Sequence, residues 1–516
     1  MGVAVILGKL FLQKELLFEI VTFYATSSYV TIRKEFTMKV EGIIAIITTK
    51  VKGVLQEHAD QLNQPLSVAN AETVVEVIQT AIMSAAAEGF KIYLQESEIR
   101  ENTIVHNDQT YQFNRTSKKE FQSPFGKFVL DRRLYQDQNG NSFCPLDHAW
   151  NMENQFATIE VREAALFALS LMPAKEARQL LEKCSPFNLA ESSFKKIADS
   201  LGPGLENTLD EFLEMIRQTE TIPKEETKVI AVSLDGANVL LQEPGKKKGR
   251  KRQRPGERKQ SVDGGFDSPT SYKNATVGSV TLYGEVPPDK KTPKRLQSRY
   301  LARMPQDKAT TLKRQLQTEV ESTLRVLSAN VTKIFLSDAA QGIRKEIDTN
   351  PLFADFEKII DFFHASDHLS NAAEAIFGKG HPEGDKWYEA KRLVFLEEEN
   401  GAELVYRSLL YFQRCYKYPK ERRDALQREV IFFRNNKDRM EYKRFRDNGW
   451  PIGSGVIEAA CKSIVKCRFC RSGMRWTRSG GQTIMTLRAL LKSGRWETFW
   501  AQYKTTRFSQ LDKTAT

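Results

Sequence analysis

The spacing of apolar positions changes several times along the chain. From about Val40 to Glu96 they recur with a helical period, and Val74, Val75, Val77, Ile78, Ile82 and Met83 predict one buried stripe. Phe128, Leu130 and Leu134 then alternate as in a strand. Asn139-Gly140 is a strong hairpin turn, and Phe143-Cys144-Pro145-Leu146-Asp147 closes a small β unit. Helical spacing returns from Thr158 to Gly202. It predicts helices near Val161–Leu171 and Ala174–Lys183, and a third starting at Ser192 or Ser193, residue types that cap helix N-termini. That third helix sets Lys195 and Lys196 beside its apolar stripe, which suits an ordinary helical subdomain or a helix presented to DNA equally well.

At Lys228 the pattern becomes that of a sheet. Val229-Ile230-Ala231-Val232-Ser233-Leu234 is a buried strand ending at Asp235, with a second strand expected from Asn238 to Gln242. Asp235-Gly236 between apolar runs is also a hairpin signal, so Asp235 suits a turn residue as well as a site residue. Val277 to Val286 reads as a third strand and Lys308 to Leu327 as a helix. Val331 to Ser337 is another apolar strand ending in an acid, Asp338. A short helix over Ala339–Ile347 and a strand over Lys358–Asp361 complete the series. Three strands joined by hairpins, then helix, strand, helix and strand is the order of a ribonuclease-H-like mixed sheet. Its first and fourth strands lie side by side, with right-handed crossovers. Asp385 to Met440 carries only helical signals and predicts an all-helical insertion before the segment Gly449 to Lys462.

In that segment a glycine-punctuated turn delivers Glu458 into the first turn of a helix whose buried stripe is Ile457, Ala460, Cys461, Ile464 and Val465. A first-turn acid also complements the helix dipole or pairs with Lys462. Lys462, Lys466, Arg468, Arg471, Arg475 and Arg478 follow with no acid between them.

Charge sharpens the picture. The formal net charge is +12, which favours a polyanionic partner over an acidic small substrate. Residues 245–259 carry nine basic side chains and one acidic, with Lys246, Lys247, Lys248, Arg250, Lys251 and Arg252 at their centre, the composition of a solvated loop that tracks phosphates. Six cysteines make no disulfide framework and point to a reducing cytoplasm. Cys144 and His148 lack a second ligand pair, and Cys461, Cys467 and Cys470 lack a fourth ligand. The apolar N-terminus is interrupted by Lys9, Lys14, Glu15 and Glu19, too charged for a membrane span.

Asp235, Asp338 and Glu458 thus come from a strand, a strand and a late helix of one expected sheet. Such carboxylates suit a pair of Mg²⁺ or Mn²⁺ ions that activate an attacking hydroxyl and stabilise a leaving 3′-oxygen. Asp361 ends the neighbouring strand and is the rival second ligand. His364, three residues on, is an accessory candidate.

The segment Pro451 to Trp476, with Gly453-Ser454-Gly455, Glu458-Ala459-Ala460 and Arg471-Ser472-Gly473-Met474-Arg475-Trp476, resembles the Kra-type bacterial insertion-sequence transposases, relatives of the Mutator-like group. So do Leu487 to Trp496 and the Asp235-Gly236 strand. The resemblance implies an Asp-Asp-Glu catalytic triad of Asp235, Asp338 and Glu458 on a ribonuclease-H-like core, two Mg²⁺ (or Mn²⁺) ions, and double-stranded DNA as partner. It implies a homo-oligomer on DNA, in the cytoplasm with the nucleoid. Asp361-Phe362-Phe363-His364 resembles the Mutator-like signature of Cys or Asp followed three residues later by His. Relatives usually place Gly after the second acid, where this chain has Ala339. The expected organisation is an N-terminal extension (1–37), helices with a small β-hairpin unit (38–150) and a helix-turn-helix-like DNA-binding region (151–222). The first part of the catalytic core (223–380), a helical insertion (381–447), and the Glu458 helix with its basic C-terminal region (448–516) follow.

Overall fold

The computed structural model describes residues 40–65, 67–242 and 270–514, so the N-terminal extension and the basic run from Lys246 to Arg252 lie outside the described residues. The chain divides into two units. One comprises residues 1–162, 182–188 and 504–516, the other residues 163–181 and 189–503. Among the described residues no helix is long and apolar enough to cross a membrane.

In the first unit, helices α1 (Val40–Glu57) and α2 (Val68–Glu96) precede an antiparallel four-stranded sheet, in the order β1 (Thr103–His106), β2 (Gln109–Ser123), β3 (Gly126–Gln136) and β4 (Ser142–Phe143). Leu94 of α2 packs with Phe121, Phe128, Leu130, Leu146 and Met152 to form its core. The β3–β4 turn falls at Asn139-Gly140, as the sequence predicts. Asp137 fastens it by accepting the amides of Asn139 (2.9 Å) and Asn141 (2.7 Å). The stripe expected on α2 is buried only at Val77, with Val74 and Met83 half-buried. Val75, Ile78 and Ile82 are exposed, and the buried face is Val77, Ala81, Ala85, Gly89 and Leu94. Small residues win because α1 lies against them: a Cβ on Gly89 would stand 3.0 Å from the Ile47 side chain. Helix α3 (Pro145–Ala149) follows β4.

The second unit is mixed α/β. Before its sheet come all but the first residues of α4 (Ile159–Leu171), all but the last of α5 (Ala174–Cys184), and α6 (Glu191–Thr219). Helix α6 starts at Glu191 with Ala190 as its N-cap, so Ser192 and Ser193 lie inside it. Nor does it stop at Gly202: it runs through Pro203 to Thr219. A proline inside a helix costs about 3 kcal/mol, but Leu201, Leu205, Leu209, Phe212, Leu213 and Ile216 are all buried along the continuous face.

The sheet has five strands in the order β7-β6-β5-β8-β9. These are β5 (Val229–Gln242), β6 (Thr270–Tyr283), β7 (Arg295–Arg303), β8 (Thr332–Ser337) and β9 (Glu357–Ile360), with α7 (Thr310–Val326) and α8 (Gln341–Thr349) as crossovers. The three strands β5, β6 and β7 pair antiparallel, and β8 and β9 add in parallel. The first strand corrects the sequence reading: Val229–Asp235 and Asn238–Gln242 are one strand. No turn forms at Asp235-Gly236, because β6 pairs with β5 over its whole length. The strand read at Val277 to Val286 is therefore the second in the sheet, and the third is β7.

After β9 come α9 (Phe362–Phe377), α10 (Pro382–Glu397), α11 (Gly401–Cys415), α12 (Lys420–Asn436) and α13 (Tyr442–Asp447). They pack on one face of the sheet, where Val229, Ala231, Ile334, Leu336 and Ile359 meet Phe362, Phe395, Phe433, Tyr442 and Phe445. Leu316 of α7 sits on the other face, against Gly278 and near Leu234. The last elements are α14 (Gly455–Ala460), a π-helical turn (Cys461–Lys466), α15 (Cys467–Phe469), α16 (Arg478–Lys492) and α17 (Trp496–Thr514).

Candidate active site

Three aspartates share one level of the sheet. The parallel register pairs Val229 with Thr332 and Val232 with Phe335, and the same offset carries Asp235 to Asp338. Between β8 and β9, Ile334 pairs with Glu357 and Ser337 with Ile360, which carries Asp338 to Asp361. Side chains alternate along a strand, so Asp235 follows Val229 and Ala231 onto one face, as Asp338 follows Ile334 and Leu336. This is the face covered by the α9–α13 helices. Helix α14 and its π turn pack against β5 and β6.

The approach of α14 is fixed residue by residue. Helix α13 ends at Gly449 (φ +70°), where Gly449 N donates to Arg446 O and Trp450 N to Phe445 O, a Schellman closure that Pro451 prevents from continuing. The chain then runs beside the start of α9, with Phe362 N donating to Ile452 O (2.9 Å). Gly453 leaves room for this approach, since a Cβ would stand 3.0 Å from the Phe363 ring. Ser454 is the N-cap of α14, yet its hydroxyl makes no cap bond. It instead stands 2.6 Å from Glu458 Oε1 and 3.0 Å from Asp361 Oδ2. The Ser454 amide donates to Asp361 Oδ1 at 3.1 Å.

The four acids differ in environment. Asp361 is 2% exposed and caps α9 by accepting the amides of Phe363 and His364, each at 3.3 Å. Burial pushes its carboxyl above the ordinary aspartate value against the pull of the Ser454 and Phe363 bonds, and the charge of Glu458 adds to the rise. Asp235 is half-buried and accepts its neighbour's amide, Gly236 N, at 2.6 Å. The buried thiol of Cys461 faces it; burial and the Asp235 charge push that thiol up, so it stays protonated. Asp338 is half-buried and accepts Ala340 N at 3.1 Å. Glu458 is exposed in the first turn of α14, and among the described residues no ion pair joins it to Lys462. Carboxylate oxygens are the donors a hard divalent cation prefers. Among the described residues, however, no three His, Cys, Asp or Glu side chains form a group that could hold a metal ion.

The remaining expected residues are dispersed. The His364 ring meets His368 edge-on at 5.2 Å, and His368 Nδ1 pairs with Glu429 Oε2 at 2.6 Å while stacking on Phe432. The His364 side chain is not bonded to the acids. Cys461 is buried whereas Cys467 and Cys470 are exposed, so the three do not form a cluster. In the other unit Cys144 is buried and His148 pairs with Glu153, so that couple is not a ligand pair either. Lys195 and Lys196 are exposed on α6, and Lys462 and Lys466 are exposed after α14. Arg471 pairs with Glu176 at 2.9 Å. Arg475 donates to the Gln242 side chain (3.1 Å), and Gln242 N donates to Trp476 O, so β5 ends against the basic segment.

Sequence reasoning missed Ser454. The available signal is an offset: a capping box needs its acid at the third helical position, which is Ile457, and the chain has it at the fourth, Glu458. No protein-family model and no curated protein matches the chain. Among solved structures it is similar to the Drosophila P element transposase strand transfer complex, at 12% identity, a TM-score of 0.24, and coverage of 67% of this chain and 80% of that one. A likeness at that score leaves the reading of the site to its own chemistry.

Proposed function

We propose that this chain is a DNA transposase of the Asp-Asp-Glu type, similar to the Kra-type insertion-sequence enzymes, on a ribonuclease-H-like core with the α10–α13 helices as insertion. The observation that carries this reading is the register that aligns Asp235 with Asp338 on the sheet face that α14, the helix of Glu458, approaches. The strand order, with the first strand between the second and the fourth, supports the fold.

In this reading Asp235, Asp338 and Glu458, which do not form a metal-holding group as they stand, would supply carboxylate oxygens to Mg²⁺ or Mn²⁺, and the ion would neutralise charge on a scissile phosphate and on the leaving 3′-oxygen. The chain's own residues orient those acids. Cys461 keeps a proton facing Asp235, and the turn at Gly453-Ser454 sets the angle of α14. Lys462, Lys466, Arg471 and Arg475 line the segment after Glu458 and bind the phosphate backbone. Residues 245–259, which follow β5 in sequence, carry nine basic side chains and one acidic and would add to the phosphate-binding charge. Double-stranded terminal repeats and target DNA are the partners, held by a homo-oligomer in the cytoplasm.

A strand-transfer assay with terminal-repeat DNA tests this. Asp235→Ala, Asp338→Ala and Glu458→Ala should each abolish joining while retaining DNA binding. Metal-dependent cleavage without joining would make the chain a nuclease, and binding without cleavage a DNA-binding regulator. Full activity of Asp338→Ala beside a dead Asp361→Ala would move the second ligand to Asp361.

A further inference from the structure

Asp361 is the acid at this edge with the most hydrogen bonds. An ionised carboxylate offers about four lone-pair sites. At Asp361 the amides of Phe363 and Ser454 face Oδ1, and the amide of His364 and the hydroxyl of Ser454 face Oδ2. With three backbone amides on it, the Ser454 hydroxyl 3.0 Å away and the side chain buried, it has little left to give a ligand. Asp338 and Glu458 differ. Among the described residues, Asp338 Oδ2 and Glu458 Oε2 accept no hydrogen bond, while Asp338 Oδ1 and Glu458 Oε1 each accept one.

Ser454 is the joint between the two settings. Its amide and hydroxyl both reach Asp361, and the hydroxyl also touches Glu458 four residues along its own helix. The hydroxyl has a single hydrogen, so it donates to one carboxylate at a time; the shorter contact places it on Glu458, while the Ser454 amide holds Asp361. An N-cap serine ordinarily accepts a backbone amide of its own helix with its hydroxyl, and here it makes no such bond.

We propose that Asp361 and Ser454 are a positioning pair for Glu458. The buried aspartate ties the Gly453-Ser454-Gly455 turn to the start of α9, and the serine hydroxyl fixes the rotamer of the glutamate. Asp361 is thereby a positioning residue and not a metal ligand. This rests on the reading of Glu458 as the third acid of the triad.

The test uses the full chain with Ser454→Ala, Ser454→Thr and Asp361→Asn, and Asp235→Asn as the ligand control. Mn²⁺ binding followed by electron paramagnetic resonance, strand transfer, and amide hydrogen exchange in α14 are measured, with melting temperature as a check on folding. Ser454→Ala should weaken Mn²⁺ binding and transfer by about 10–100-fold, as loss of outer partners of metal ligands does. It should speed exchange in α14 and leave DNA binding and melting temperature near those of the parent. Ser454→Thr, which restores the hydroxyl, should recover most of the loss. Asp361→Asn should weaken Mn²⁺ binding without abolishing it. Parent-like Mn²⁺ affinity and exchange in Ser454→Ala would overturn the proposal, as would loss of Mn²⁺ binding in Asp361→Asn as complete as in Asp235→Asn. Should the parent bind no Mn²⁺ and join no DNA, the functional reading fails, and α14 exchange in Ser454→Ala alone decides whether the pair anchors the helix.

Discussion

At the scale of single residues, burial decides which charged groups matter. Glu319 is fully buried among Arg217, Arg299 and Arg495, with Arg495 at 2.6 Å and Arg217 at 3.1 Å. Burial alone would raise its carboxyl; the Arg495, Arg299 and Arg217 guanidiniums more than offset that and hold it below the ordinary glutamate value. A depressed folded value means stability present above the unfolded value and lost as pH falls through the folded one. Glu319→Gln should flatten the fall in stability on acidification, measured by denaturant midpoints at a series of pH values. Glu319→Ala, which strands the arginines, should cost about 3–5 kcal/mol at neutral pH. Cysteine reactivity should sort by exposure in the same way. Cys415, Cys467 and Cys470 are exposed and should be alkylated in the native chain, whereas buried Cys144 and Cys461 should react only after unfolding, read by mass spectrometry.

At the scale of elements, α6 shows how local chemistry and packing diverge. Its Gly202-Pro203-Gly204 reads as a break, but the helix continues through it. The two glycines differ in cause. A Cβ on Gly202 would lie 2.5 Å from Thr483 Oγ1 of α16, so the glycine permits a close helix contact; a Cβ on Gly204 would meet nothing within 4 Å. Gly204→Ala should therefore stabilise by roughly 0.5–1 kcal/mol. Gly202→Ala should destabilise by about 1–3 kcal/mol, the two compared by urea denaturation. Strand β7 was illegible for a related reason. Its sequence Arg-Leu-Gln-Ser-Arg-Tyr-Leu-Ala-Arg looks like a polar surface, yet Arg299 and Arg303 are buried, Arg299 in ion pairs with Glu319 and Glu220 and Arg303 held by Glu206 and the Gln315 side chain. Hydropathy cannot announce a strand whose interior is arginine. By contrast, β8 and β9 were readable as short apolar runs that end at an acid, and α7 from the helical spacing of Leu312, Leu316 and Val320.

For the whole molecule, the positions of the acids were legible where they follow apolar strands, as at Asp338 and Asp361. Asp235 was singled out as the end of a strand, and its strand does not end there. The role of Ser454 was not legible, because it depends on the chain before α14 lying beside the start of α9, a contact between residues distant in sequence. Charge is also distributed unevenly: residues 245–259 hold nine basic and one acidic side chain in a chain whose net charge is +12. Deleting residues 246–254 should weaken DNA binding and reduce the slope of log K against log salt by roughly 0.9 for each phosphate the run neutralises, measured by fluorescence anisotropy. An unchanged slope would remove that run from the DNA track.

The antiparallel and parallel pairings that seat Asp235 are complete only when Trp476 joins the end of β5, Trp476 N donating to Leu240 O and accepting from Gln242 N through its own carbonyl. During synthesis the two sheet acids leave the ribosome long before Glu458 and the segment that closes on Leu241. At about 5–20 residues per second the interval is on the order of tens of seconds. A nascent or prematurely terminated chain would hold Asp235 and Asp338 on a sheet whose central strand is still open at its end, with Glu458 not yet in place.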